Sequence, residues 1–209
     1  IYPIVMGWQW GGGWLAAIGF SDFAGSTLVH STGGAAALAG IIILGPRFGR
    51  FDSKGNPKAI QPFAASSIPL VTIGVFVLWL GWFGFNGGSQ LALGSFADAV
   101  AISTIFINTN LAACGGVLAA AVITRLLFGK TDVVQMLNGA IGGLVAITAE
   151  PLAPTPLAAI LIGVMGGIIV VFGTKLLFSF KLDDVVGAIP AHMFAGIFGT
   201  LVVPMTNAD

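Results

Sequence analysis

Charge is what this 209-residue sequence has least of. Only 8% of its residues are Asp, Glu, Lys or Arg, where soluble domains carry roughly 25%. That excludes an ordinary water-facing surface. Eight basic and eight acidic residues cancel to a net charge of zero, so no basic face invites nucleic acid. Cysteine occurs once, as Cys114, which excludes an internal disulfide and a cysteine-based zinc cluster. There are two histidines, and no third nitrogen, sulfur or carboxylate ligand stands at metal-site spacing from them. No metal and no other cofactor is therefore expected. No nucleophile–base pair is recognisable, so an enzyme is not expected either. The first residue is Ile1, with no basic n-region or cleavage signal ahead of the first span. The sequence reads as a chain cut at both ends.

What remains is apolar. Hydrophobic residues make up 56%, glycines number 31 and the mean hydropathy is +1.00. This is membrane composition, with glycine enriched where helices pack closely in lipid. Six apolar runs are candidates to cross ~30 Å of hydrocarbon: Asp22 to Pro46, Ala64 to Ala92, Asp98 to Phe128, Val134 to Ala149, Leu157 to Phe180 and Asp184 to Pro204. The fourth is short for a span. Residues 1 to 21 read as the tail of an earlier helix and a glycine-rich turn, Trp10-Gly11-Gly12-Gly13-Trp14. The expected fold class is all-α and multi-span, one partial domain over residues 1–209 with no second domain.

The basic residues test this parse. They fall in three places: Arg47, Arg50, Lys54 and Lys58; Arg125 and Lys130; Lys175 and Lys181. Two crossings separate each place from the next, so six spans put all three on one side. The connections Leu93 to Ala97 and Glu150 to Pro156 carry no Lys or Arg. This is the positive-inside pattern, with Arg47 to Gln61 as a cytoplasmic loop of a multi-pass membrane protein; the plasma membrane is the expected location.

Both histidines follow the same motif. Asp22-Phe-Ala-Gly25-Ser-Thr-Leu-Val-His30 and Asp184-Val-Val-Gly187-Ala-Ile-Pro-Ala-His192 are each D-x-x-G-x-x-x-x-H. The first span enters from outside and the sixth from inside. Eight helical residues rise ~12 Å, so the histidines approach the midplane from opposite faces. One motif in two orientations is what an inverted-repeat transporter produces, with its site at the repeat interface. The plainer reading is a pair of buried histidines satisfied by backbone. Intramembrane ionisable groups are costly, however, and usually line a pathway. A neutral pair can share a proton, one ring donating and the other accepting. Asp22 and Asp184 open their helices, where capping and dipole complementation are the plain roles and a place in the pore vestibule is the further one.

A second constellation is Trp82-Phe83-Gly84-Phe85-Asn86-Gly87-Gly88-Ser89, at the outer end of the second span. Interfacial aromatics are usually belt anchors. Here glycines admit close approach, Ser89 offers a hydroxyl, and Trp10 stands at the same level. An indole face attracts a small cation, and a hydroxyl accepts a hydrogen bond from one.

At these residues the sequence resembles the ammonium transporter (Amt/Rh) family, in its Amt branch. The matching stretches are Trp10-Gly-Gly-Gly, Asp22 to His30, Gly81-Trp-Phe-Gly-Phe-Asn-Gly-Gly-Ser89, Asn108-Thr-Asn110, Asn138 to Thr148 and Asp183 to His192, spread over the whole chain. The resemblance implies an eleven-helix fold with inverted repeats. It also implies a homotrimer with one pore per subunit, of which this chain would supply the end of the fourth helix through the tenth.

The site residues it implies are the pore histidines His30 and His192, with ammonium recruitment by Trp10 and Ser89. Phe85 would be a pore gate, and Trp82 and Thr148 pore lining. The implied partners are ammonium or ammonia, the lipid bilayer and a cytoplasmic nitrogen-regulatory P-II protein. Carrying a full cation through an apolar pore costs at least ~2.5–3.5 kcal/mol. Deprotonation at the outer site would let ammonia cross while the histidines relay the proton. Two alternatives stand beside this reading: an ammonium-sensing Amt-like domain fused to a signalling module, and an Rh-type channel for ammonia or carbon dioxide. Trp10 and Ser89 together favour the Amt branch over the Rh branch.

Overall fold

The computed structural model describes residues 1–51 and 65–207. Lys54, Lys58, the loop as far as Gln61 and the expected span start at Ala64 lie outside the described residues. Two short helices, α1 (Tyr2–Gln9) and α2 (Trp14–Ala17), precede the apolar helices. These are α3 (Ser26–Leu44), α4 (Ile68–Gly88), α5 (Phe96–Phe128), α6 (Val133–Ile147), α7 (Pro156–Ser179) and α8 (Ile189–Thr206). Five of them are long and apolar enough to cross a membrane, while α6 has 15 residues. The short fourth run of the sequence is thus a short helix. The single turn α2 stands where only a glycine-rich turn was expected.

Polar residues at the ends of the apolar runs set the boundaries. Ser67 accepts from the Leu70 amide at the start of α4, with Pro69 in the first turn. Ser95 and Asp98 form a reciprocal capping box on α5. Asp132 and Thr155 cap α6 and α7 through the Gln135 and Ala158 amides. Helix α5 ends on Gly129 at φ 72°, the left-handed stop that glycine adopts without strain.

Helices α5, α6 and α7 pack together at the centre. Lipid removes the hydrophobic drive between helices, so close backbone approach must hold them. A Cβ on Gly163 would run into the backbone of Ala112, and one on Gly116 into the Gly139 carbonyl. Every residue from Gly139 to Ile147 is buried. Helix α6 can therefore be short, because it is wrapped by its neighbours along most of its length. Large apolar side chains such as Leu80, Leu118, Leu126 and Leu161 point outward instead, as lipid-facing residues should.

Helices α3 and α8 run antiparallel across this core. Just before α3, the Phe23 and Ala24 amides donate to Ala149 O and Thr148 O at 2.7 and 3.0 Å. Just after α8, Asn207 Nδ2 donates to Glu150 Oε2 at 3.1 Å. At the other end Arg47 Nε pairs with Asp183 Oδ2 at 2.7 Å. The approaches are reciprocal. A Cβ on Gly34 of α3 would strike Met193, and one on Gly196 of α8 would strike the Ser26 carbonyl.

Two further basic groups lie against aromatic rings of α7 and α5. Arg50 lies 4.3 Å over the Phe178 ring, and Lys175 Nζ lies 6.0 Å from the Phe128 ring.

One expectation needs correction. Helix does not begin at Asp22 or Asp184. Regular structure starts near Ser26 and Ala188, and the first turns, Ser26–Ser31 and Ile189–Phe194, are π-helical. The ~12 Å rise of eight α-helical residues therefore does not apply.

Candidate functional site

The loops that begin the two motifs are carboxylate-centred turns. Asp22 accepts from the amides of Gly25, Ser26, Thr27 and Leu28 at 2.8–2.9 Å. Asp184 accepts from those of Val186, Gly187, Ala188 and Ile189 at 2.7–3.3 Å. Four consecutive amides can converge on one carboxylate because Gly25 and Gly187 take φ of 115° and 78°, which other residues adopt only with strain. This explains the D-x-x-G spacing. Asp22 is 1% exposed. Burial pushes its carboxyl above the ordinary 3.8, and the four amides pull against that rise. Asp183, beside Asp184, is held instead by hydrogen bonds from Arg47. The Arg47 guanidinium keeps its carboxyl below 3.8, with Arg50 adding to the effect.

These turns aim the histidines at each other. His30 Nδ1 and His192 Nδ1 lie 3.2 Å apart, a hydrogen bond for which one ring must donate and the other accept. The rings meet edge to edge, with centroids 5.2 Å apart and planes 27° from parallel. The Trp82 indole stacks on His30, with centroids 5.0 Å apart and planes only 17° from parallel. Phe85 approaches both, at 5.3 Å from His30 and 5.6 Å from Trp82. Val29, Gly33, Gly34, Ala37 and Ala188 complete a cavity of about 160 Å³ beside the two imidazoles. Its lining is mostly apolar.

Thr148 reaches this cluster through Trp82, whose Nε1 donates to Thr148 Oγ1 at 2.9 Å. Trp10 and Ser89 are placed separately. Trp10 Nε1 donates to Asp22 O at 2.8 Å, which commits its N–H but leaves the indole face, since the residue is 41% exposed. The Ser89 hydroxyl donates to Phe85 O at 2.9 Å. Its proton is spent there, and its lone pairs remain as acceptors. The structure joins His30, His192, Trp82, Phe85 and Thr148 in one cluster and ties Trp10 to the Asp22 turn. It gives no direct contact between Trp10 and Ser89 among the described residues.

Sequence reasoning missed Asn86 and Thr109. Both are fully buried, and Asn86 Nδ2 donates to Thr109 Oγ1 at 2.9 Å. A signal existed: Asn86 is a polar residue inside an apolar run, four positions after Trp82 and so on the same helix face.

Residues 1–209 match the profile of the Ammonium Transporter Family. The chain belongs to that family. It is 46% identical to the ammonium transporter Amt2 of Archaeoglobus fulgidus, over 97% of this chain and 44% of that protein. Among solved structures, one titled Sensor Amt Protein superposes with a TM-score of 0.91 at 38% identity, over 98% of this chain and 51% of the other. Mep2 of Candida albicans superposes with a TM-score of 0.87 at 32% identity, over 99% and 44%. This ammonium-transporter-family chain thus spans about half the length of the relatives it matches. The family and the apolar helices make it an integral membrane protein of the ammonium transporter fold.

Proposed function

We propose that the full protein containing this segment transports ammonium or ammonia across the plasma membrane. Ammonium is recruited at an outer site of Trp10 and Ser89, loses a proton, and passes the Phe85 gate as ammonia. It then follows a pore lined by Trp82, Thr148, His30 and His192. The observation that carries this reading is the 3.2 Å Nδ1 contact between His30 and His192, made by antiparallel helices that begin with the same turn. A hydrogen-bonded imidazole pair relays a proton by exchanging donor and acceptor roles. The neutral solute meanwhile avoids the ~2.5–3.5 kcal/mol or more that a cation incurs in hydrocarbon.

The wider assignment follows the same reading. The protein is a homotrimer with its basic loops in the cytoplasm, where a P-II protein is a candidate partner. The 209 residues are one part of a single transporter domain, from the end of the fourth helix through the tenth. Asp22 and Asp184 hold the vestibule ends of the histidine turns.

In the full-length protein, His30→Ala abolishes electrogenic ammonium uptake. Undiminished currents in that variant sink the relay. A second reading is an ammonium sensor, favoured by the TM-score of 0.91 to the structure titled Sensor Amt Protein. A signalling domain encoded beyond Asp209, with an activity that follows ammonium, decides for it.

A further inference from the structure

Trp82 is an indole whose ring plane matters, because it is the flat surface against which His30 stacks, 17° from parallel. An indole N–H only donates, and its partner is Thr148 Oγ1. Thr148 in turn has one proton, directed to Leu144 O at 2.7 Å and Asn86 Oδ1 at 3.2 Å. Its oxygen must therefore present a lone pair to Trp82. Asn86 is fixed from its other side, by the 2.9 Å bond from Nδ2 to Thr109 Oγ1. The order is Thr109, Asn86, Thr148, Trp82, His30. It starts on α5, crosses α4 and the end of α6, and finishes at the imidazole pair. Thr109, Asn86 and Thr148 are each 0% exposed, and Trp82 is 6% exposed, so no water competes for these bonds.

We propose that Asn86 and Thr109, neither of which faces the histidine cavity, are positioning residues for the proton relay. They fix the Thr148 hydroxyl, which fixes the Trp82 ring, which holds His30 in register with His192. The inference rests on the transport reading above. In a buried network, bonds of this kind reinforce one another, and a misplacement of 1 Å near a reacting group can lower a rate by ~100-fold.

The test uses the full-length protein in planar bilayers or proteoliposomes, with currents normalised to folded protein by size exclusion. Thr109→Val keeps the side-chain shape and removes the hydroxyl; Thr109→Ser restores it. The maximal ammonium current of Thr109→Val falls about tenfold, with the half-saturating concentration unchanged and the pH profile of the current altered. Thr109→Ser recovers the wild-type values. Asn86→Leu behaves like Thr109→Val. A Thr109→Val/Thr148→Val double variant loses no more than the worse single variant, because both act through one indole. Wild-type protein with neither ammonium current nor ammonia flux into proteoliposomes overturns the transport reading itself. Wild-type current with unaltered Thr109→Val and Asn86→Leu currents, or with additive losses in the double variant, overturns the positioning role alone. So does a Thr109→Val loss confined to the amount of folded protein.

Discussion

His30 and His192, 162 positions apart in the chain, meet Nδ1 to Nδ1 at 3.2 Å because each follows a carboxylate that gathers four backbone amides. The turns are alike in chemistry but not in burial. At Asp22, the amides of Gly25, Ser26 and Leu28 are buried. At Asp184, none of the four is fully buried.

That difference predicts unequal losses. Removing an acceptor leaves each buried donor unsatisfied at roughly 1–3 kcal/mol. Asp22→Ala orphans three such amides, so it destabilises the protein by at least ~3 kcal/mol, and Asp184→Ala by clearly less. Asp22→Asn, which keeps one acceptor oxygen, falls between. Thermal unfolding in detergent measures the order, and equal losses at the two aspartates contradict it.

The Arg47–Asp183 pair predicts a pH dependence with a definite sign. Arg47 lowers the Asp183 carboxyl below its ordinary 3.8. A depressed acid contributes stability that is present above 3.8 and is lost as pH falls through the folded value. Stability at the junction of α3 and α8 therefore declines as the pH is taken below about 3.8. In Asp183→Asn this part of the acid loss disappears and stability at pH 7 is lower. Hydrogen exchange of the residues around Arg47 and Asp183, followed against pH, checks both outcomes.

Much of this was legible in the sequence for identifiable reasons. Apolar runs locate the helices α3 to α8. The repeated D-x-x-G-x-x-x-x-H brings His30 and His192 to one place. What was not legible depends on contacts between helices. Nothing in Asp183-Asp184 says that the first pairs with Arg47 and the second closes a turn. The π-helical first turns follow from four amides bending to one carboxylate, which spacing alone does not reveal. Asn86 stands out as a polar residue in an apolar run, but its partner Thr109, 23 positions later, is set only by how α4 packs on α5.

The central packing yields a stability prediction independent of transport. At Gly163 a Cβ would overlap the Ala112 backbone, which cannot rotate away. Overpacking in a well-filled interior costs typically ~1–3 kcal/mol and sometimes more. Gly163→Ala therefore lowers the midpoint of thermal unfolding, and Gly163→Leu prevents recovery of folded protein. Gly74 has open space around it, so Gly74→Ala in α4 leaves the midpoint unchanged or raised, as helix propensity favours Ala by about 1 kcal/mol. A similar fall at both positions contradicts close packing at the α5–α7 crossing.

The outer residues separate recruitment from relay. Trp10 has committed its N–H to Asp22 O, so only its ring face is available to a cation, an attraction worth ~0.5–2 kcal/mol. Ser89 has committed its proton to Phe85 O, so it serves as an acceptor for the cation, worth ~1.5–3 kcal/mol for a hydrogen bond to a charged group. At 1.4 kcal/mol per tenfold, Trp10→Leu raises the half-saturating ammonium concentration roughly 2- to 30-fold, and Ser89→Ala roughly 10- to 100-fold. Neither change touches the histidine pair, so the maximal current of both variants stays near wild type. His30→Ala shows the opposite pattern, losing current at every concentration. Concentration series of ammonium currents distinguish the two patterns. A Trp10→Leu variant with lowered maximal current and unchanged half-saturation contradicts recruitment and points instead to damage through the Asp22 turn, to which its indole is tied.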